Sequence, residues 1–242
     1  MGLFLANHGS RTLPSATTHL TRVVVGDDVA LYQRILPSLR QVYRTDLEEH
    51  AQVTWPALLE AISERPARDT LFACHGRFDA TMVAASELDL GSAGSDHTVS
   101  FARVFEHLDL QGCRSVLMGS CVSGVSRTEI GAEYLGLPAA MLASGVRYVV
   151  GALWNIPALS TAVVIERLML SLRDASASVA VVLSDVQRGL AAIEQEQVLA
   201  WVAEKFSDDP QLQKLLSNIR ARGPYPFADP YHWAGLQATG DI

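Results

Sequence analysis

The chain has 242 residues, of which 49% are hydrophobic and 19% are charged, and its formal net charge is −7 at pH 7. This length permits one large α/β domain or two small ones, and the apolar fraction is ample for a core. The negative charge argues against nucleic acid as the main partner. No apolar run approaches the ~18 residues of a membrane span, and residues 1–8 lack the basic region of a secretory signal peptide. Three Cys residues without framework spacing favour a reducing cytoplasm.

The N-terminal part predicts an irregular segment followed by a helix. Residues 1–20 are rich in small and polar residues, which also fits a chain that is part of a larger protein. A helix is predicted to begin at Asp27 or Asp28 and to run through Tyr43, because apolar residues recur at helical spacing. Pro37 lies inside this pattern and is expected to kink or end the helix.

The first motif with candidate catalytic residues is a short apolar strand that runs from Asp69 and ends in His75 and Gly76. An imidazole can take the proton of a thiol or hold a preformed thiolate, and glycine leaves its N–H open to a substrate oxygen. A lone His after a strand is more often structural than catalytic, so a nucleophile at the same edge is needed. Cys74 should point to the opposite face and pack in the core. Cys113 is expected to be structural.

The second motif supplies that nucleophile. Val116–Gly119 reads as a short buried strand, and the turn of small residues that follows it contains Cys121. Open α/β sheets place their ligands at the carboxyl ends of the strands. A thiolate is also favoured near the N-terminus of a following helix. The spacing of 121 − 75 = 46 residues suits one crossover between two parallel strands that end at a common edge.

The rest of the chain completes an α/β pattern. A helix is predicted from Glu129, capped by Thr128, to about Ser144, where Gly145 ends it. Residues 146–154 are apolar throughout, as expected for a strand covered on both faces. Further helices are predicted over 160–173, over 178–193 with an extension to 204, and over 211–220, with a last strand in 232–239. A mostly parallel sheet would bring His75, Cys121 and Trp154 to one edge.

Several motifs in this order resemble the CHAT domain family, a bacterial relative of caspases and separases. They are Phe72-Ala73-Cys74-His75-Gly76, Ser86-Glu87-Leu88-Asp89-Leu90, Ser120-Cys121 with Gly124, residues 133–137 and 142–145, Val149-Val150-Gly151-Ala152-Leu153-Trp154, and Pro230-Tyr231-His232-Trp233-Ala234-Gly235. The His-to-Cys gap is also close to the ~50 residues of caspases. The resemblance implies a three-layer αβα sandwich with a mostly parallel central sheet, caspase–haemoglobinase-like, formed as one domain over residues 1–242.

The residue types and the resemblance predict a cysteine endopeptidase. Cys121 would attack the peptide carbonyl, and His75 would activate it and later protonate the leaving amine. The N–H groups of Gly76 and Cys121 would form the oxyanion hole. No metal or other cofactor is needed, and the seven His residues show no zinc spacing with each other or with Cys.

Substrate binding is assigned to two loops at the same edge, through Phe78, Asp79, Trp154, Asn155 and Ala158. Many family members carry acids in the loop after the third strand, where they pair with a basic side chain before the scissile bond. Here Asn155 and Ala158 replace them, so we expect a neutral or apolar P1 residue such as Leu or Met. Asp79 and Glu133 remain as acids that could still enter this pocket.

Two other functions stay open from the sequence. The residues flanking Cys121 differ from the family's commoner Ser-Ala before the Cys and Glu/Asp-Thr after it, which keeps a catalytically silent interaction or signalling module as the alternative. An acyl or thioester hydrolase with the same dyad ranks lower. The resemblance implies a latent cytoplasmic protease, released by a regulatory or sensor partner for limited proteolysis in bacterial defence, death or signalling. Neither nucleic acid nor a membrane is expected as a direct partner.

Overall fold

The computed structural model describes residues 19–240 except 28, 78, 80, 81, 83, 84, 92, 93, 95, 120–126 and 129–133. In this part the strands are β1 Thr21–Val25, β2 Leu47–Ala51, β3 Asp69–Ala73, β4 His75–Arg77, β5 Glu87–Asp89, β6 Thr98–Ser100, β7 Ser115–Met118, β8 Arg127–Thr128, β9 Tyr134–Leu135, β10 Tyr148–Ala152 and β11 Leu236–Gly240. The helices are α1 Ala30–Tyr43, α2 Trp55–Glu64, α3 Phe101–His107, α4 Leu137–Ala143, α5 Ala158–Arg173, α6 Val179–Ala191, α7 Gln195–Lys205 and α8 Leu212–Arg220.

A six-stranded sheet forms the centre of the fold, with the strand order β11-β10-β7-β3-β1-β2. The pairs from β2 to β10 are parallel, and β11 pairs with β10 in the antiparallel direction. Helices flank this sheet, which confirms the predicted three-layer α/β fold. No helix of the described part is both long and apolar enough to cross a membrane.

Hydrophobic residues cover the sheet on both faces. Alternate residues of β1 enter different clusters, since side chains of a strand point to opposite faces in turn. Val23 and Val25 pack with α1, α5 and α6, whereas Val24 packs with α2, α3 and α4. This explains why the core strands read as continuous apolar runs in the sequence.

The first predicted helix is correct in its end and wrong in its start. The helix α1 begins at Ala30 after Val29, without a side-chain cap, and the Asp27 carboxylate instead accepts a hydrogen bond from Gln52. Asp28 lies outside the described residues. The helix also continues across Pro37 to Tyr43. A buried apolar stripe on this helix offsets the single backbone hydrogen bond that proline removes.

The predicted helix from Glu129 to about Ser144 is correct in its end and wrong in its start. The short strands β8 and β9 pair with each other, and α4 begins only at Leu137. Pro138 accounts for this start, because proline fits the first turn of a helix but not its interior. Gly145 follows α4 with φ 100°, as expected for the residue that ends a helix.

Three further boundaries differ from the prediction. The apolar strand that ends in His75 is two strands, since β3 stops at Ala73 and His75 begins β4 of a small antiparallel sheet with the order β4-β5-β6. The proposed extension of the helix over 178–193 is a separate helix, α7. The last strand is β11, which is shorter than the predicted 232–239 at its start.

Candidate active site

The two strands that lead to His75 and Cys121 are neighbours in the sheet. Phe72 of β3 is the Cα partner of Met118 of β7, and the Gly119 N–H donates to the Phe72 carbonyl at 2.9 Å. His75 and Cys121 each follow three residues after this pair in the sequence. Cys121 itself lies outside the described residues. The register therefore brings the chain to the same edge of the sheet just before each of the two candidate residues.

His75 is exposed and begins β4, opposite Asp89 of β5. Cys74, directly before it, is only 2% exposed and packs in the core, as predicted. Burial raises the pKa of the Cys74 thiol to about 12, and the charge of Asp89 adds to the effect. The chain between β3 and β4 therefore places an inert thiol in the core and an accessible imidazole at the surface.

The other described cysteine is inert as well. Cys113 is 3% exposed, and burial raises the pKa of its thiol to about 12, with a further contribution from the charge of Asp69. A thiolate is the reactive form of cysteine, and neither of these thiols ionises near neutral pH. Of the three cysteines in the sequence, Cys121 is left as the candidate nucleophile.

Gly76, the predicted oxyanion donor, is half-buried in β4, where its Cα partner is Leu88. A second glycine allows the small sheet of β4 to lie close to the main sheet. The N–H of Gly26, directly after β1, donates to the Ala73 carbonyl at the end of β3 at 2.9 Å. A Cβ at Gly26 would lie 2.6 Å from the Asp89 carbonyl oxygen and 2.9 Å from Cys74 Cβ. The missing side chain thus lets the sheet of His75 pack directly on β1.

The loop after β10 carries Trp154 and Asn155, and a residue that the sequence analysis missed fixes it. Tyr231, in a short 3₁₀ helix at 230–232, stacks on Trp154 with ring centroids 6.5 Å apart. Its hydroxyl donates to the Asn155 carbonyl at 2.9 Å, and its own carbonyl accepts from Trp154 Nε1 at 3.1 Å. Gly235 makes room, since a Cβ there would lie 2.7 Å from the indole. The motif at 230–235 was the available signal.

The remaining predicted binding residues have different environments. Ala158 is exposed as the first residue of α5. Asp79 is half-buried, and its carboxylate accepts from the Met82 N–H at 2.9 Å, which closes a turn. Phe78 and Glu133 lie outside the described residues. No group of three or more His, Cys, Asp or Glu side chains in the described part could hold a metal ion.

A comparison with known families agrees with the resemblance seen in the sequence. The model of the CHAT domain matches residues 17–241. The chain belongs to the CHAT domain family. The family is caspase-like and related to peptidases, and the matched range contains both the His75 and the Cys121 motifs. No curated protein matches this CHAT chain.

Proposed function

We propose that this CHAT domain is a cysteine endopeptidase in which His75 and Cys121 form the catalytic dyad. The observation that carries the proposal is the register of β3 and β7, which pairs Phe72 with Met118 three residues before each member of the dyad. Burial of Cys74 and Cys113 supports the choice of Cys121 as the nucleophile.

The reaction would proceed in two stages. His75 accepts the thiol proton of Cys121, and the sulfur attacks the peptide carbonyl to form a tetrahedral intermediate. When this collapses, His75 donates the proton to the leaving amine and an acyl-enzyme remains, which water hydrolyses with His75 as the base. The N–H groups of Gly76 and Cys121 would stabilise the oxyanion, and each such donor is worth on the order of 10²–10³ in rate.

We further propose that the substrate lies against Phe78, Asp79, Trp154, Asn155 and Ala158 and presents a neutral or apolar P1 residue. One feature supports this preference. The loop after β10 ends at Ala158, where the sixteen-residue helix α5 begins. The positive end of a helix dipole disfavours a Lys or Arg side chain bound beside Ala158.

A cysteine-directed peptide probe would test the dyad, with Cys74→Ala as the matched control for Cys121→Ala. Wild type and Cys74→Ala should label, and Cys121→Ala and His75→Ala should not. Folded wild type that stays unlabelled by the probe, also with cell lysate added as a source of activator, would favour the catalytically silent interaction module. A peptide library would test specificity, and strict cleavage after Arg or Lys would contradict the apolar P1 preference.

The biological setting that we propose is regulated, limited proteolysis of a protein substrate under the control of a regulatory or sensor partner. One contact in the proposed site could respond to such a partner. Tyr231, which is distant in the sequence, donates a hydrogen bond to the carbonyl of Asn155 in the loop after β10. A partner that broke this hydrogen bond would change the loop of the proposed substrate site without contacting the dyad. Comparing cleavage with and without candidate partner proteins would test this control directly.

A further inference from the structure

The helix α1 carries two buried tyrosines whose hydroxyls serve different parts of the molecule. Tyr32 is 8% exposed, and its hydroxyl donates to the Gly119 carbonyl at 2.6 Å. Tyr43 is 3% exposed, and its hydroxyl donates to the Met169 carbonyl in α5 at 2.5 Å. Both bonds run from a tyrosine hydroxyl to a backbone carbonyl. Only the first ends beside the proposed nucleophile, since Gly119 precedes Cys121 by two residues.

Gly119 is held on both sides of its Cα. Its N–H donates to the Phe72 carbonyl at 2.9 Å, and its own carbonyl accepts from Tyr32. Peptide units are planar, so a residue has only two soft backbone angles. Fixing one peptide unit through the N–H and the next through the carbonyl fixes both angles of Gly119. Glycine otherwise has the widest conformational freedom of any residue.

The fit between the two residues is mutual. An ideal Cβ at Gly119 would collide with the Tyr32 hydroxyl and lie 2.6 Å from its Cζ. A larger residue at 119 therefore cannot coexist with Tyr32 in this position. The glycine that permits the tyrosine is thus also the residue that most needs an external restraint.

We propose that Tyr32 is a positioning residue for Cys121, because it fixes the direction in which the backbone leaves β7 toward the nucleophile. The inference rests on the proposed function and adds to it a residue that no local pattern marks. Tyr32 does not contact the substrate in this proposal. Its effect is on the placement of the thiol, and misplacement of a reacting group by about 1 Å can cost about a hundredfold in rate.

The test compares Tyr32→Phe with Tyr43→Phe. Each variant keeps its ring and loses a hydrogen bond from its hydroxyl to a backbone carbonyl, so both urea midpoints should fall. Tyr32→Phe should lower kcat by about ten- to a hundredfold with KM little changed, and Tyr43→Phe should leave both unchanged. The pH profile of Cys121 alkylation by iodoacetamide should also change in Tyr32→Phe alone, because the thiol's distance from His75 changes.

The outcomes separate the inference from the proposed function. If wild type labels at Cys121 and Tyr32→Phe matches Tyr43→Phe in kcat and in alkylation, the positioning role is wrong and the dyad stands. If wild type neither labels at Cys121 nor cleaves any peptide, the proposed function fails first. If Tyr32→Phe loses much more stability than Tyr43→Phe, the alkylation profile of its folded fraction decides. An unchanged profile there overturns the inference, and a changed one supports it.

Discussion

The two ends of the central sheet are stabilised by different means. The amino-end rim, where β1, β3 and β7 begin, is held by buried charges. Asp69 is 2% exposed and accepts hydrogen bonds from Arg114 at 2.6 and 2.9 Å and from the Ser115 hydroxyl at 2.5 Å. Arg22 is fully buried and donates to the Glu48 carboxylate at 3.3 Å and to two carbonyls near the end of α2.

At the carboxyl-end rim, where the same strands end, glycine residues allow neighbouring groups to pack directly against the backbone. Gly26, Gly119 and Gly235 lie there, and each is approached so closely by a neighbour that a Cβ would not fit. The neighbours are the Cys74 and Asp89 region, Tyr32 and Trp154 respectively. His75 lies on this rim and the chain toward Cys121 starts from it. Charged groups therefore stabilise the amino-end rim, where no reaction is proposed. Close packing against glycine shapes the carboxyl-end rim, where a substrate would bind.

The largest effect is expected at the amino-end rim. Asp69→Asn keeps the shape of the side chain but removes the counter-charge of Arg114, whose side chain is 18% exposed. Breaking a fully buried pair costs about 3–5 kcal/mol, and the partial exposure of Arg114 places the expected loss at about 3 kcal/mol. Urea unfolding should show this loss, while Cys121 alkylation of the folded protein should not change. Asp185→Asn is the control, because its pair with Arg188 is exposed and contributes at most about 0.5 kcal/mol. A loss as small as that of the control would mean that Asp69 does not hold this rim.

Gly26→Ala should have the next largest effect and should act on both stability and activity. The new Cβ meets the Asp89 carbonyl oxygen at 2.6 Å, and such overpacking costs about 1–3 kcal/mol. The small sheet that carries His75 must move, so kcat should fall as well. The control is Gly189→Ala in the exposed part of α6, where the nearest atom to a Cβ is 3.9 Å away. That change should stabilise the protein by about 0.5–1 kcal/mol. Full activity in Gly26→Ala would contradict the close-packing role.

These contacts also show what the sequence could and could not predict. The strands before His75 and Cys121 were readable because each is a short apolar run that ends in small or polar residues, and neighbouring parallel strands share an edge. Tyr32 and Glu48 carry no local signal, since their partners lie 87 and 26 residues away in the chain. The start predicted at Glu129 was wrong because the prediction followed the helical pattern of the sequence and gave Pro138 too little weight. Pro138 lies in the first turn of α4, which begins at Leu137.

The buried thiols give a smaller, pH-dependent effect. Folding raises the pKa of Cys74 and Cys113 from 9.0 to about 12, so the folded state keeps protons that the unfolded state releases. The free energy of unfolding should therefore be unaffected below pH 9 and fall as pH rises from 9 toward 12, by about 1 kcal/mol for each thiol at pH 10. Urea unfolding of Cys74→Ala across this range should show a shallower fall than wild type. An equal slope would show that the thiol is not buried as described.

The smallest loss of stability is expected at acid pH, through protonation of His232 near the carboxyl-end rim. His232 follows Tyr231, and its ring nitrogens lie 3.1 Å from the Ser160 hydroxyl and 3.2 Å from Arg222. Burial lowers its pKa from 6.5, and Arg222 adds to the effect. The unfolded state then binds the proton first, so the stability that His232 contributes is lost as pH falls below 6.5. Protonation would also set two cations side by side next to the segment that holds Trp154.

His232→Gln should therefore reduce the loss of stability between pH 6.5 and 5, and His107→Gln should not, because His107 is exposed. Tryptophan fluorescence during acid titration would report the same event, since Trp154 contacts Tyr231. Equal acid sensitivity in both variants would mean that protonation of His232 does not affect the carboxyl-end rim.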